Sequence, residues 1–544
     1  MLSGLMQDDF QLTLQHVLRR MRSFPDGGGV VTLSDDGPLR ASFAEVAPRI
    51  DRLARVLGEL GVKRGECVAS FAWNSQRHFE CYLAVPCIGA VLHTVNVRLF
   101  SEQIVYVLNH AEDRVVFVDD SLVPTLAALA ADLRHVEHFV VMGDGPIDGL
   151  PNALRYEDLL AQVDAAPFDY PELDEREAAA LCYTSGTTGE PKGVLYSHRS
   201  TTVHALGVLG ADAVGLRSAD RALVVVPMFH VNAWGLPHAA ALASATLVMP
   251  GRFVQAEPIA RLIAAERCSV MVAVPTIYLD LLRYADEHHP DLSTLTNAIC
   301  GGAAMPVSLA RAFEERHGVT LIHGWGMTET SPMCTISRPS GELDAETRWK
   351  LRAKQGRPVP FVELRLVGDD GGEVPWDGSR SGEIEVRGPW IASGYYKDQE
   401  SRANLDHGWL RTGDIANVDE HGYVQITDRA KDVIKSGGEW ISSVALENEL
   451  MGHEAVREAA VIAIPDERWS ERPLACVVLV EGVEATSEDL REYLRLRVAE
   501  WWLPDDFAFV EALPKTSVGK FDKKLLRARL ADGTLAGPAA REAR

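Results

Sequence analysis

The sequence predicts an α/β protein with a large N-terminal domain of stacked βαβ sheets, a β-rich subdomain and a small, mobile α+β C-terminal domain. Three observations predict this class. A chain of 544 residues is too long for one compact core. Short apolar runs alternate with amphipathic stretches through the first two-thirds, and this alternation stops near Phe361. After Arg429 the mixed pattern returns, so we expect a further domain there.

The alternating part predicts mostly parallel sheets with helices on both faces. Pro306 suits the first turn of one of these helices. The predicted strands are Cys67–Phe71, Arg114–Val118, His138–Met142, Ala178–Tyr183, Ala222–Pro227, Val270–Pro275 and Thr320–His323. The predicted helices are Phe43–Leu60, Gln76–Ile88, Ala256–Ala265 and Pro306–His317.

The β-rich subdomain is predicted over residues 361–428, because strand-like runs there are separated by turns rich in Gly and Asp. We therefore expect a large domain over residues 1–430 and a small domain over residues 431–544. The β-rich strands are Glu363–Val367, Gly382–Arg387 and Gly422–Thr427. The small domain has predicted helices at Ser443–Met451 and Ser487–Ala499, with strands at Ala459–Ile464 and Cys476–Val480.

Charge and composition exclude several classes of protein. The net charge of −23 opposes nucleic acid binding, because a strongly acidic chain repels polyphosphates at long range. Eight scattered cysteines without CxxC spacing are interpreted as buried apolar residues in a reducing compartment. The N-terminus has no signal-peptide pattern, and the apolar stretch Val231–Pro250 contains polar residues and prolines. We expect a cytoplasmic protein without a transmembrane segment; peripheral membrane contact stays open.

The clearest motif is the segment 183–193, YTSGTTGEPKG, which follows a predicted strand. Its glycines let backbone N–H groups approach an anion, its hydroxyls donate to phosphate oxygens, and Lys192 supplies positive charge. The nucleotide P-loop pattern fails at Pro191 and at Gly193, which disfavours ordinary P-loop chemistry. A flexible surface loop is the alternative interpretation.

This segment resembles the signature of the adenylate-forming superfamily, which includes acyl-CoA synthetases, luciferases and peptide-synthetase adenylation domains. The resemblance covers nearly the whole chain and is greatest to bacterial medium- and long-chain fatty acyl-CoA synthetases. It implies that the loop binds the phosphates of ATP and AMP, and that Thr184 also contacts a metal. The loop residues concerned are Thr184, Ser185, Gly186, Thr187, Thr188, Gly189 and Lys192.

Two further segments resemble the family's nucleotide site. Gly302 and Ala303 lie in a Gly-Gly-Ala-Ala turn that lines the adenine and acyl pockets in the family; a tight strand-to-helix turn is the alternative. In the segment 323–330, HGWGMTET, Trp325 offers a face to a purine, Thr328 can donate to the α-phosphate and Glu329 suits Mg²⁺. A buried aromatic and a helix-capping Thr-Glu pair are the alternative. The other candidates in this segment are His323, Gly324, Gly326 and Met327.

The segment 409–414, WLRTGD, is predicted to end the β-rich part, and an ordinary turn is the alternative interpretation of Gly413-Asp414. The resemblance implies that Asp414 accepts hydrogen bonds from the ribose hydroxyls and that Arg429 also reaches the ribose. The charged run 428–440 falls at a composition boundary, so it predicts a hinge and a mobile loop.

The resemblance assigns the remaining catalytic roles to the C-terminal part of the chain. Lys431 matches the hinge, and Lys435 lies near the adenylate during thiol transfer. Lys520 matches the catalytic lysine of the first half-reaction, and it can reach the site only if the small domain folds over the large one. The residues that match the coenzyme A channel are Gly437, Gly438, Glu439 and Trp440.

The acyl substrate is implied to contact His230, Trp234 and Gly302. In related long-chain enzymes the histidine gates the carboxylate end and the tryptophan gates an acyl tunnel. A core histidine is the alternative for His230, and core packing is equally compatible with Trp234. The acid is expected to be medium- or long-chain, with a short sulfur-containing acid such as methylmercaptopropionate also open.

The expected reaction has two steps. The carboxylate attacks the α-phosphorus of ATP, which gives acyl-AMP and pyrophosphate, and a thiol, expected to be that of coenzyme A, then takes the acyl group. Lys520 must leave and the loop 435–440 must enter between the steps. The alternatives are a loader of a carrier protein, a luciferase-like oxygenase, a non-enzymatic protein and an NTP-hydrolysing motor or switch. The resemblance also implies a homodimer.

Overall fold

The structure is a computed structural model that describes residues 6–7, 9–24, 26–184, 190–339, 341–398, 405, 407–429, 432–436, 439–466, 468–515 and 521–535, with backbone alone at 435, 439 and 440. The strands are β1 Gly29–Ser34, β2 Gly37–Ser42, β3 Cys67–Phe71, β4 Val91–Thr94, β5 Val115–Asp119, β6 His138–Met142, β7 Ala153–Arg155, β8 Ala178–Tyr183, β9 Gly193–Ser197, β10 Arg221–Val224, β11 Thr246–Met249, β12 Val270–Ala273, β13 Asn297–Cys300, β14 Leu321–Gly326, β15 Met333–Ile336, β16 Arg357–Pro358, β17 Glu363–Val367, β18 Gly382–Arg387, β19 Leu410–Val418, β20 Val424–Arg429, β21 Ile434–Ser436, β22 Glu439–Ile441, β23 Val456–Asp466, β24 Ser470–Leu479 and β25 Asp506–Phe509.

The α-helices are α1 Gln15–Ser23, α2 Phe43–Glu59, α3 Gln76–Cys87, α4 Ser101–Ala111, α5 Val123–Ala127, α6 Tyr156–Gln162, α7 His198–Leu209, α8 Leu236–Ala243, α9 Ala256–Glu266, α10 Pro275–His288, α11 Val307–His317, α12 Ala345–Ala353, α13 Ser443–Met451, α14 Ser487–Arg495 and α15 Lys523–Ala531.

Two large sheets form the N-terminal part, as the alternating pattern predicts. One has the order β7-β6-β5-β3-β4-β8-β9 and is parallel except at β9. The other has the order β16-β15-β14-β13-β12-β10-β11-β1-β2, with antiparallel strands only at its two edges. Helices α1, α2, α3, α7 and α8 pack between the two sheets, while α9–α11 and α4–α5 cover their outer faces.

The β-rich prediction is confirmed by the antiparallel sheet β17-β18-β19-β20. The prediction that the segment 409–414 ends this part was wrong, and so was the alternative of a turn at Gly413-Asp414, because these residues lie inside β19 and β20 follows. Glu383 pairs with Ile415 and Glu385 pairs with Arg411, so β19 carries extra residues opposite β18. Gly413 has φ +71°, and the bulge lets β19 continue through this residue.

The C-terminal part is a mixed sheet of the order β22-β21-β24-β23, with β25 parallel to β24. Helices α13 and α14 cover one face of the sheet and α15 covers the other. The α+β class of this part is therefore confirmed, while the domain limit at 430/431 stays a prediction.

Three of the differences between predicted and observed element bounds involve prolines. The strand predicted to reach Pro227 ends at Val224, and the strand predicted to reach Pro275 ends at Ala273, with Pro275 beginning α10. Pro306 has an extended ψ of 133° and precedes α11 as its N-cap, so the prediction that it lies in the first turn was wrong. Helix α14 ends at Arg495 rather than at Ala499.

All eight cysteines are buried, as predicted. Within the described ranges, no helix is both long enough and apolar enough to cross a bilayer. The stretch Val231–Pro250 instead contains α8 and β11.

Buried histidines between the two large sheets predict acid destabilisation. Burial lowers the pKa of His78 to about 4, of His204 to about 3 and of His238 to about 4. The unfolded chain protonates histidine near pH ~6.5, so the folded state loses stability as the pH falls from there toward 4. Each residue is expected to lower the free energy of unfolding by about 1.4 kcal/mol per pH unit in this window.

Urea denaturation between pH 7.5 and 5 measures this dependence. His238→Gln removes one of these groups and is expected to give a shallower slope than the parent protein. An identical slope in the two proteins would contradict the assignment for His238.

Candidate active site

A single cavity of about 1130 Å³ lies at the carboxyl ends of β8, β13 and β14 and extends to the C-terminal elements. Ligands of open parallel sheets bind at such strand ends. The cavity brings together every predicted nucleotide- and acyl-binding residue whose side chain is described. These lining residues are Thr184, Lys192, His230, Trp234, Gly302, Ala303, His323, Gly324, Trp325, Gly326, Met327, Thr328, Glu329, Asp414 and Arg429.

The phosphate-loop segment connects β8 to β9, two antiparallel neighbours. Thr184 N donates to the carbonyl oxygen of Lys192 at 2.9 Å, and Lys192 N donates to Thr184 Oγ1 at 3.2 Å. These bonds close the base of the loop at the cavity wall. The predicted residues Ser185, Gly186, Thr187, Thr188 and Gly189 lie outside the described residues.

A buried carboxylate faces the same side of the cavity. Glu329 is 6% exposed, and its Oε1 accepts a hydrogen bond from Tyr395 Oη at 2.7 Å. Lys192 Nζ lies 4.7 Å from the centroid of the Tyr395 ring. Tyr196 Oη donates to the carbonyl oxygen of Thr328 at 2.7 Å, which fixes the backbone beside Glu329 to β9. The two tyrosines were missed by sequence reasoning, because neither lies in a recognisable pattern.

Trp325 and Arg429 hold Asp414 from two sides. Trp325 Nε1 donates to Asp414 Oδ2 at 2.9 Å, and Arg429 Nε lies 2.7 Å from Asp414 Oδ1. Asp414 is 5% exposed. The bulge in β19 allows this contact, which joins the β-rich sheet to the end of β14. The carboxylate is therefore fixed in orientation and lies at the cavity wall.

His323 is buried beside the Gly-Gly-Ala-Ala turn. Its Nδ1 lies 3.2 Å from the carbonyl oxygen of Ala353, and its Nε2 lies 3.4 Å from the carbonyl oxygen of Ala303. Burial lowers the pKa of His323, because the charged imidazole would lose its hydration. A neutral ring here packs against the turn without adding positive charge to the cavity.

The acyl-site candidates depend on an unusual turn. Residues 231–234 all have φ between +47° and +57°, a left-handed run that is costly for residues with a Cβ. The turn places Trp234 against Gly301, where an added Cβ would lie 2.9 Å from Trp234 Cη2. Gly302 has φ +81°, a conformation that suits glycine.

Asn232 anchors the left-handed turn and was not identified from the sequence. It is 4% exposed, and its Oδ1 lies 3.2 Å from Cys182 Sγ and 3.3 Å from Thr94 Oγ1. Cys182 belongs to β8, which leads into the phosphate-loop segment. The acyl and phosphate sides of the cavity therefore share one buried polar connection.

The C-terminal part contributes a second wall. Lys515 and Phe521 line the cavity and form an isolated antiparallel bridge. Lys520 lies outside the described residues, as do Lys431, Gly437 and Gly438. Lys435 pairs with Trp440 across the hairpin β21–β22, next to Glu439. Of the side chains described in this hairpin, none lines the cavity.

The donor set at Glu329 fits a hard cation shared with a nucleotide. Among residues whose positions are described, no group of three or more His, Cys, Asp or Glu is arranged to hold a metal ion. Mg²⁺ commonly binds through one or two carboxylates, with substrate phosphates and water completing its shell. Glu329 and the hydroxyl of Thr184 on the same cavity wall match that pattern.

Comparison with known proteins covers nearly the whole chain. A profile of the AMP-binding enzyme family matches residues 20–396, and one of the AMP-binding enzyme C-terminal domain matches residues 445–520. The 3-methylmercaptopropionyl-CoA ligase of Ruegeria pomeroyi is 44% identical over 508 residues, which cover 92% of this chain and 93% of the relative. The long-chain-fatty-acid–CoA ligase of Thermus thermophilus is 45% identical over 526 residues, covering 95% and 96%.

A solved structure confirms the likeness in three dimensions. The crystal structure of an anthranilate CoA ligase in complex with anthranoyl-AMP superposes with a TM-score of 0.87 at 28% identity, covering 97% of this chain and all of that chain. The fold class predicted from the sequence is thereby confirmed. The chain, with its paired sheets, its cavity at the strand ends and its C-terminal domain, belongs to the AMP-binding enzyme family.

Proposed function

We propose that the protein is an AMP-forming acid–thiol ligase, which activates an apolar carboxylic acid with ATP and transfers the acyl group to coenzyme A. One observation carries this proposal: a single cavity joins the phosphate-loop hairpin, the Glu329 carboxylate, the Trp325–Asp414–Arg429 group and an apolar pocket. A nucleotide and an acid bound together in this cavity have their reacting groups adjacent.

The nucleotide is proposed to lie between β14 and β19. Asp414 accepts hydrogen bonds from the ribose hydroxyls, and Arg429 orients the carboxylate. The Trp325 ring and the backbone from Gly302 to Ala303 flank the adenine. Lys192, Thr184 and Thr328 contact the phosphates, with the loop residues Ser185–Gly189.

In the adenylation step, the carboxylate oxygen attacks the α-phosphorus as the bond to pyrophosphate breaks. Negative charge grows on the phosphoryl oxygens, so fixed cationic and hydrogen-bonding groups accelerate the step. Lys520 is the proposed principal cation. Mg²⁺, when bound, supplies further positive charge to the phosphates, and Glu329 and Thr184 would hold it.

In the second step the thiol of coenzyme A attacks the acyl carbonyl and AMP leaves with its phosphate oxygen. We propose that the small domain, residues 431–544, turns about Lys431 between the steps. Lys435 and the channel residues Gly437, Gly438, Glu439 and Trp440 then replace Lys520 at the cavity. Lys515 and Phe521, on either side of the Lys520 segment, line the cavity, and this supports the proposed role of Lys520 in the first step.

The acid is proposed to be a medium- or long-chain fatty acid, held with its carboxylate near His230 and its chain beyond Trp234. The apolar lining of the cavity supports an uncharged chain, and the Thermus thermophilus relative is named for long-chain fatty acids. The Ruegeria pomeroyi relative supports a short sulfur-containing acid as the second candidate. The apolar lining residues include Val208, Val214, Leu236, Val272, Ile299 and Ile336.

The test is nucleotide product analysis with purified protein, Mg-ATP and acids from C4 to C18 plus methylmercaptopropionate, with and without coenzyme A. AMP and pyrophosphate that require an acid, with acyl-CoA only when coenzyme A is added, are the expected products. Acid-dependent AMP without acyl-CoA would indicate a carrier-protein loader. ADP and phosphate without acid dependence would overturn the proposal.

Two further proposals concern the oligomeric state and the location of the protein. We propose a homodimer, for which light scattering should give twice the chain mass of 59.5 kDa. We also propose a cytoplasmic location, which fractionation of the native cells would test.

A further inference from the structure

A buried cluster of polar and charged side chains joins β20 to two helices of the C-terminal part. Asp428 Oδ2 accepts hydrogen bonds from Ser443 N at 2.8 Å and from Ser443 Oγ at 2.5 Å. Lys523 Nζ lies 2.5 Å from Ser443 Oγ and 2.7 Å from Glu447 Oε1. We call these four residues the Asp428–Lys523 cluster.

The cluster is largely buried, and Asp428, Glu447 and Lys523 also lie at the wall of the cavity. Asp428 is 1% exposed as a residue, and the side chains of Lys523 and Glu447 are 11% and 9% exposed. Burial disfavours the charge on Lys523, but Glu447 and Asp428 raise its pKa overall. Charges buried this deeply depend on their partners, so loss of one partner leaves the others without compensation.

The cluster crosses the proposed hinge at Lys431. Asp428 precedes the hinge on β20, whereas Ser443, Glu447 and Lys523 follow it. Ser443 is the first residue of α13, so the Asp428 carboxylate also lies at a helix N-terminus, where negative charge is favoured. A turn of the small domain about Lys431 would separate Asp428 from Ser443 but would keep Lys523 beside Glu447.

Lys523 also begins the helix that directly follows the Lys520 segment. Phe521, at the base of that segment, lines the cavity, and Asp522 caps α15 by accepting from Leu525 N at 3.0 Å. One turn further along α15, Arg527 pairs with Asp432 at 2.6 Å. The placement of α15 therefore sets the placement of Phe521, the described residue next to Lys520.

We infer that Asp428 is a positioning residue for the adenylation step, which holds Ser443 and Lys523, and with them Phe521 next to Lys520, at the cavity. The inference rests on the proposed function for its kinetic consequence, but its structural consequence stands apart from activity. Asp428 is proposed to act through Ser443 and Lys523, so its effect is on the balance between two arrangements of the small domain.

The kinetic test compares Asp428→Asn with Glu447→Gln in the full chain. Pyrophosphate release reports adenylation, and acyl-CoA formation from synthetic acyl-AMP reports the second step. Asp428→Asn is expected to slow the first by about tenfold or more and to leave the second within about twofold. Glu447→Gln disturbs the same lysine without crossing the hinge, so it should lower both rates in the same proportion.

The structural test uses spin labels on Glu420→Cys and Glu484→Cys, two exposed positions on opposite sides of the hinge, since the native cysteines are buried. The parent chain should give one dominant distance, and Asp428→Asn should add a second population. Unchanged distances, or an equal loss of both half-reactions in Asp428→Asn, would overturn the inference. If the parent chain shows neither half-reaction, the proposed function is wrong. The distances between the spin labels still test whether Asp428 holds the small domain in one arrangement.

Discussion

Lys520→Ala is expected to lower the rate of acyl-adenylate formation by about 10²–10³-fold, the cost of removing one fixed group that stabilises charge in a transition state. The physical reason is that the phosphoryl oxygens gain charge in this step and the chain as a whole is acidic, with a net charge of −23. A single well-placed lysine therefore contributes much of the local positive potential. Stopped-flow measurement of pyrophosphate release gives the rate.

The same variant should convert supplied acyl-AMP to acyl-CoA at a rate within about twofold of the parent chain, because the proposed turn of the small domain takes Lys520 out of the cavity for the second step. Lys515→Ala is the matched control. Lys515 also lines the cavity, but its Nζ pairs with Glu458 Oε1 at 2.6 Å, so its charge is already compensated. Equal losses in both half-reactions of Lys520→Ala would contradict the two arrangements.

Strand bounds can be predicted from the sequence where burial alone determines the order of apolar and polar residues. The strands Cys67–Phe71, His138–Met142 and Ala178–Tyr183 have the predicted bounds. Each lies in a parallel sheet covered on both faces, and that environment produces a continuous apolar run with clear ends. The motif that follows Tyr183 can therefore be placed at a strand end from the sequence alone.

The backbone conformation cannot be predicted from the local sequence where residues far away in the chain determine it. Gly413 predicts a turn by its type, but β18 pairs on either side of it and converts the turn into a bulge within β19. The apolar residues Val231 and Ala233 give no sign of a left-handed run. That run is fixed by buried contacts of Asn232 with β4 and β8, which lie far away in the sequence.

The hydrogen-bond partners of the candidate site residues could not be predicted from the sequence either. Tyr395 reaches Glu329 across 66 residues, and Asp414 reaches Trp325 across 89. No local pattern encodes such a pair, because each partner is ordinary in its own segment. The motifs located the charged groups, and the fold supplied the hydrogen bonds that orient them.

Glu329→Gln is expected to reduce adenylation by about 10²–10³-fold and to raise the Mg²⁺ concentration required for half-maximal rate. The amide has the shape of the carboxylate, and its Oε1 can still accept from Tyr395 Oη, so the fold around α-phosphate-facing Thr328 should persist. What the substitution removes is the negative charge that a hard cation needs.

Tyr395→Phe tests the orientation of the Glu329 side chain separately from its negative charge. It keeps the ring over which Lys192 Nζ lies but deletes the hydrogen bond to Glu329. Loss of such a supporting partner typically costs about 10–100-fold in metal affinity, so this variant should recover its rate at high Mg²⁺. The rate of Glu329→Gln should stay below that of the parent chain even at high Mg²⁺, because this variant has no carboxylate to bind the cation. A Mg²⁺ titration of both variants decides the point: an unchanged Mg²⁺ requirement in Glu329→Gln would remove Glu329 from the metal site and leave it as a hydrogen-bond acceptor for Tyr395.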